Sequence, residues 1–296
     1  MEPKRKSLDP ELLAKIKEIE IYTRRLLAGG FMGGGRSSVK GAGLEFEQMR
    51  DYVAGDDVRY IDWNASSRLD RLVVREYIEE KNKTILLVVD VSSSMFFGSP
   101  KGHTKQENVQ QLASVLALVS SYAQDKVGLV MFSDRVECFV PPRQGTHHVR
   151  AIMEHLFSHV PAHSGTSMRA ALDFVARLKM RNALVFLISD FLDESPAQQL
   201  CMVANKHDLI TILCKDAYEY ALPAVGLLPV MDTESGEHAV LDLRKRGARA
   251  IADFLQESVQ VRTGQLKRAG AHVISVTSDR PFIHDIVKFF RRRIEY

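Results

Sequence analysis

Apolar residues fall along this chain in two alternating rhythms. Ile85-Leu86-Leu87-Val88-Val89 is uninterrupted, short and rich in β-branched side chains, which predicts a strand covered on both faces of a sheet. Val109, Leu112, Val115, Leu116, Val119 and Tyr122 follow at spacings of three and four, predicting a helix with one face on that sheet. Lys126 to Ser133 predicts the next strand. Val136 to Val140 lies so close behind that the two must pair antiparallel, since parallel strands need a longer crossover; Pro141-Pro142 is expected to close this strand. Further on, the pattern predicts a helix at His147 to Phe157, a helix from Ser167 through Leu178, a strand at Asn182 to Ile188, a helix at Pro196 to His207 and a strand at Leu209 to Cys214. Gly226 to Leu243 reads as an inserted hairpin turning at Asp232 to Gly236. A long helix over Arg244 to Ala269, a strand at His272 to Val276 and a helix from Pro281 complete the series. Strands alternating with helices predict an α/β fold, a doubly wound, mostly parallel six-stranded sheet flanked by helices, over residues 83–296 with the hairpin inserted near 226–243.

Residues 1–82 form a smaller amino-terminal segment of different character. Ser7 or Asp9 with Pro10 signals a helix start, and Leu12, Leu13, Ile16, Ile19, Ile21, Leu26 and Leu27 predict an amphipathic helix ended by Gly29 and Gly30. The stretch Gly30 to Ser37 mimics the spacing of a phosphate-binding loop. It carries Arg36 in place of the Lys, follows a helix rather than a buried strand and leads into no helix, so linker glycines are the better reading. Gly41 to Glu80 is dense in charges and aromatics. There Asp56, Asp57 and Asp62 are placed to pair with Arg50, Arg59 and Arg68, while Trp63 and Phe46 are expected to bury a small core. Interleaved arginines would keep these carboxylates ionised and occupied, which favours a structural role over acid and base work.

Composition narrows the class. Forty basic against 37 acidic residues leave a net charge of +3, and neither this balance nor any aromatic and basic face argues for nucleic acid. Lys4-Arg5-Lys6 and Arg291-Arg292-Arg293 read as solvated tails, with contact to acidic lipid at the membrane periphery or to nucleic acid as the alternative. Cys138, Cys201 and Cys214 are odd in number and lack CxxC spacing, so they read as small hydrophobes in a reducing compartment. Without a signal peptide or an apolar run near the roughly 20 residues a membrane span needs, the expectation is a cytoplasmic protein with no transmembrane segment.

The chemistry concentrates at Asp90-Val91-Ser92-Ser93-Ser94, which leaves the end of the first buried strand. In open α/β sheets ligands bind at that carboxyl edge. A carboxylate and two hydroxyls are hard oxygen ligands suited to Mg²⁺, Mn²⁺ or Ca²⁺ rather than zinc. Taken by itself the motif also describes an ordinary helix cap. Two later segments reach the same edge: Ser164-Gly165-Thr166 before a helix, with Thr166 expected to cap it, and Ser189-Asp190 at the end of a second apolar strand. His155 and His159, four apart, could bind zinc, but no carboxylate or Cys partner is evident and Val160-Pro161 ends the helix. Asp193 and Glu194 read as first-turn helix acids.

The set Asp90, Ser92, Ser94, Thr166 and Asp190 resembles the metal-ion-dependent adhesion site of von Willebrand factor type A domains. The block Gly55-Asp56-Asp57-Val58-Arg59-Tyr60-Ile61-Asp62-Trp63 ahead of it resembles the signature of domain of unknown function family fifty-eight. The departures are Ser93, where many such sites have Gly, and the absence of the membrane helices of some longer relatives. The resemblance implies a Mg²⁺ site completed by an acidic residue of a partner protein. It also implies an adaptor or co-chaperone working with a MoxR-type AAA+ ATPase on an acidic-residue-bearing client, without covalent chemistry. The competing class is a metal-dependent hydrolase or phosphotransferase using the same residues. No second Asp two residues after Asp90, no His or Lys base in the local sequence and no Gly-x-Ser-x-Gly elbow supports it.

Overall fold

The computed structural model describes residues 16–23, 45–53, 55–78, 82–98, 104–163, 165–192, 196–216, 219, 225–231 and 236–294. Ser164, Asp193, Glu194, the glycine run at Gly30 to Ser37, the basic run Lys4-Arg5-Lys6 and most of the turn expected at Asp232 to Gly236 lie outside them. The chain divides into two compact units, Met1–Gly34 with Lys83–Tyr296, and Gly35–Asn82.

Of the helix expected from Ser7 to Leu27, residues 16–23 are described and helical (α1). The larger unit claims this helix. Ile16 and Ile19 are buried in that unit's core, and the Arg150 guanidinium donates to Glu20 at 2.7 Å. The smaller unit is therefore Gly35–Asn82 rather than the whole of 1–82, and its boundary with the larger unit falls at Lys83.

In the smaller unit β1 (Glu45–Asp51) and β2 (Val73–Ile78) form an antiparallel pair, with α2 (Trp63–Leu69) between them in sequence. The Arg50 fork grips Asp56 at 2.7 and 2.8 Å and holds its carboxyl down at about 2. Arg59 does the same for Asp57, as the charge pattern predicts. Asp62 plays a different part, because its carboxylate caps α2, accepting from the Asn64 and Ala65 amides at 3.1 and 3.0 Å. Trp63 does not bury a core. At the first turn of α2 it is 65% exposed, and Ile61, Val73 and Val74 fill the interior instead. The side chain of Phe46 lies outside the described residues.

The larger unit is built on β3 (Thr84–Asp90), β4 (Lys126–Phe132), β5 (Val136–Arg143), β6 (Leu184–Ser189), β7 (Asp208–Lys215) and β10 (His272–Thr277). They form one six-stranded sheet in the order β10-β7-β6-β3-β4-β5, with only the β4/β5 pair antiparallel. β8 (Gly226–Met231) and β9 (His238–Leu243) make the separate inserted hairpin. β5 runs on through Pro141 and Pro142 instead of stopping before them, which an edge strand tolerates because half its amides face no neighbour.

Side-chain alternation along β3 divides the core in two. Ile85, Leu87 and Val89 face a layer that includes α1, α3 (Lys105–Tyr122) and α4 (Thr146–Ser158). Leu86 and Val88 face the layer of α5 (Met168–Arg177), α6 (Ala197–Lys206) and α7 (Lys245–Arg268). The last helix, α8 (Ile283–Ile294), joins the first layer through Ile286. The chain leaves β3 toward β4 and β5, then crosses back to β6 on its other side. That reversal opens a crevice above the carboxyl end of β3.

His207, between α6 and β7, sets a pH limit on this fold. Its side chain is buried, Nδ1 accepts from the Ala183 amide at 3.3 Å, and Nε2 has no hydrogen-bond partner among the described residues. Burial, with Lys206 beside it, lowers its pKa from the ordinary 6.5. Protonation would put a hydrogen where Ala183 donates. A depressed histidine leaves stability intact above the unfolded value and removes it as pH falls toward the folded one. We therefore expect the wild type to lose urea midpoint relative to His207→Gln as pH falls from 7.5 to 5.

Candidate metal centre

Three of the five expected ligands emerge from the end of β3. Val91 N donates to Phe132 O at 2.9 Å, which ties the start of the loop to the neighbouring strand. Ser92 then opens a short 3-10 turn over Ser93–Phe96. Asp90 and Ser92 are buried, Ser94 half-buried. The Asp90 carboxylate accepts from Ser92 N at 2.9 Å on one oxygen and from the Ser189 hydroxyl at 2.6 Å on the other. The Ser92 and Ser94 hydroxyls stand 3.1 Å apart.

Asp190 arrives from β6, which pairs directly with β3. It is 5% exposed, and one of its oxygens accepts from Leu192 N at 3.2 Å. The next residue, Phe191, is fully buried at φ 54°, a left-handed conformation that a bulky side chain adopts only under constraint from its surroundings. The two aspartates feel each other: burial first, and then the Asp190 carboxylate, push Asp90 up to about 7.

Thr166 comes to the same edge by another route. The cap of α5 is Ser167, whose hydroxyl accepts from Ala170 N, and not Thr166 as expected. Ser167 N donates to Ser133 O at 2.8 Å, just beyond Phe132, the residue paired with Asp90.

Two residues not singled out in the sequence complete the electrostatics. Lys105, the first residue of α3, is 1% exposed, and its ammonium donates to Asp190 and to Glu219 at 2.7 Å each. Burial pulls its pKa down, but Asp190 and Glu219 outweigh burial and raise it. Asp216, at the end of β7, is also buried and takes the Ser278 hydroxyl. Their one sequence signal is position: a lysine in the first turn of a helix opposes the macrodipole, and acids end successive strands at one edge.

The donors fit a hard divalent cation. Cis ligands of a six-coordinate Mg²⁺ with bonds of 2.0–2.1 Å stand about 2.9 Å apart, close to the Ser92–Ser94 separation. The buried Asp90 carboxylate, with Asp190 beside it, leaves a demand for positive charge that one ammonium shared with Glu219 only partly meets. Among the described residues no group of three or more His, Cys, Asp or Glu is arranged to hold a metal. That leaves the histidine pair without a third ligand. His159 Nε2 instead meets Glu137 at 2.7 Å.

Around this polar centre lies an apolar rim. Phe96 and Phe97 follow the Ser92–Ser94 turn at 49% and 46% exposure, and Leu192 follows Asp190 at 46%.

A sheet of five parallel strands and one antiparallel edge strand, helices on both faces and a hydroxyl-rich loop at the switch point define a von Willebrand factor type A-like α/β fold. The chain belongs to the family described as Protein of unknown function DUF58, which matches residues 48–263. An uncharacterised protein of Mycobacterium tuberculosis is 28% identical over 292 residues, 96% of this chain and 90% of that one. The crystal structure of the conserved hypothetical protein BatB from Bacteroides thetaiotaomicron aligns at TM-score 0.47 with 14% identity, over 73% of this chain and all of that one. The SpRpn10 VWA domain aligns at TM-score 0.38 with 9% identity, over 71% and 95%. No helix among the described residues is long and apolar enough to cross a membrane.

Proposed function

We propose that this chain is a protein-binding adaptor or co-chaperone that captures an acidic side chain of its partner at the carboxyl edge of the sheet. Asp90, Ser92, Ser94, Thr166 and Asp190 would hold Mg²⁺, with Mn²⁺ or Ca²⁺ as substitutes. When bound, the ion supplies a Lewis-acidic position open to a carboxylate.

The observation that carries this reading is the pairing of a cation-demanding polar centre with the exposed rim of Phe96, Phe97 and Leu192. Protein interfaces place apolar anchors around a desolvated polar contact in this way, and aromatic anchors contribute most of the binding energy. The residues of this chain divide the work. Ser189 and the Ser92 amide orient the Asp90 carboxylate, the 3-10 turn aims two hydroxyls together, and the rim excludes water from the incoming side chain.

The hydroxyls are poorly placed for catalysis. Ser92 and Ser94 face each other, and Ser92 and Ser189, the hydroxyls that bond the Asp90 carboxylate, are both fully buried. A cytoplasmic MoxR-type AAA+ ATPase and an acidic client are the partners that the family resemblance implies.

The test is co-purification of partners with the tagged chain in Mg²⁺ and in EDTA, with Ser92→Ala in parallel. We expect chelation and the substitution each to reduce recovery at least tenfold. Equal recovery after chelation would exclude the ion from binding.

A further inference from the structure

Lys105 is a buried cation seated on a carboxylate that the ion would also use. We propose that Lys105 is an internal rival of the divalent ion for Asp190, and that Glu219 is the second seat that keeps the ammonium when Asp190 is released. This rests on the reading of Asp190 as part of the ion site.

The geometry provides both seats. Lys105 Nζ stands 2.7 Å from Asp190 Oδ2 and 2.7 Å from Glu219 Oε1. The seats differ in depth: the Asp190 side chain is 3% exposed and that of Glu219 is 19%. An ammonium moving from the first toward the second therefore moves from the interior to the rim. It stays protonated and paired throughout, so no charge is abandoned in a buried site.

The lysine is anchored for a short swing. Its backbone amide donates to Phe97 O at 2.9 Å, Thr104 caps the helix it begins, and its ammonium lies 5.8 Å from the centre of the Phe97 ring. Phe97 also forms part of the exposed rim, so a partner docking there would cover the residue that touches the ammonium. With Lys105 on Asp190, the ion-free fold has a charge balance that two bare aspartates would lack. An ion entering the site must then displace that contact, which sets its affinity below what the donor set alone would give.

Two substitutions should move Mg²⁺ affinity in opposite directions, as read by calorimetric titration with Mg²⁺ alone. Lys105→Met removes the rival and should tighten binding about tenfold or more. Glu219→Gln removes the second seat and should weaken it several-fold. In the double variant the Glu219→Gln effect should largely vanish, because a general loss of negative charge would persist without Lys105 but a lost seat would not.

Wild-type binding that Lys105→Met leaves equal or weaker would overturn the rivalry while leaving the ion site intact. Binding by Lys105→Met with a silent wild type would support it. No heat in any of the four chains would remove the ion reading and the rivalry together. If Lys105→Met does not fold, the wild type decides: acetic anhydride labelling of Lys105, read by mass spectrometry, should rise at saturating Mg²⁺, and unchanged labelling would overturn the proposal.

Discussion

Asp90→Asn makes the ion-free chain more stable at pH 8 and abolishes its stabilisation by Mg²⁺. Asp90 is buried, and burial together with Asp190 raises its pKa from 3.8 to about 7. A carboxyl whose folded value is raised leaves the fold at full stability below the unfolded value and drains it as pH rises through the folded one. Above pH 7 the ion-free protein therefore carries an electrostatic penalty of about 2–4 kcal/mol at this residue. Asparagine keeps an oxygen for the Ser92 amide and carries no charge, so the urea midpoint at pH 8 should rise, and the loss of stability with rising pH that Asp90 contributes should disappear. With millimolar Mg²⁺ the ranking reverses: the wild type gains stability by mass action and the variant does not. A variant less stable than the wild type without Mg²⁺ would show that the two aspartates do not strain the site.

Phe132→Ala works in the opposite direction and at larger scale. Phe132 ends β4 fully buried and packs in the layer that holds Val88, Met168 and Leu172. Truncating a buried Phe loses its transfer free energy and leaves a cavity, about 3–5 kcal/mol in all. That is a large share of the roughly 5–15 kcal/mol that holds a domain folded. The contact between Phe132 and the ion loop is main-chain, from Val91 N to Phe132 O, and survives the substitution. Denaturant unfolding should therefore show the full loss, while the remaining folded protein still binds Mg²⁺ within a few-fold of wild type. Together the two variants separate what the site costs the fold from what the core gives it.

The sheet is legible in the sequence because its central strands are covered on both faces, which forces continuous apolar runs such as Ile85 to Val89. Asp90 and Asp190 are legible for a related reason: each sits where an apolar run stops. Other features depend on contacts that no local pattern records. Lys105 meets Asp190 and Glu219 across 85 and 114 residues of sequence, and a lysine at a helix start ordinarily points into water. Thr166 and Ser167 are adjacent hydroxyls before one helix, so only the bond to Ala170 N decides which is the cap. Residue type alone points Trp63 into a core, while its exposure follows from the way α2 is capped and oriented. Pro141-Pro142 suggests a strand end because nothing in the local pattern marks β5 as an edge.

That outer strand also limits how copies of this molecule can associate. Pro141 and Pro142 fall where the β4/β5 register shifts, between the Leu129–Val140 and Val127–Arg143 pairs, and neither has an amide hydrogen to donate. A foreign strand approaching that flank would meet a bulge rather than a regular hydrogen-bonding ladder. Growth of the sheet sideways past β5 is thus discouraged by covalent structure.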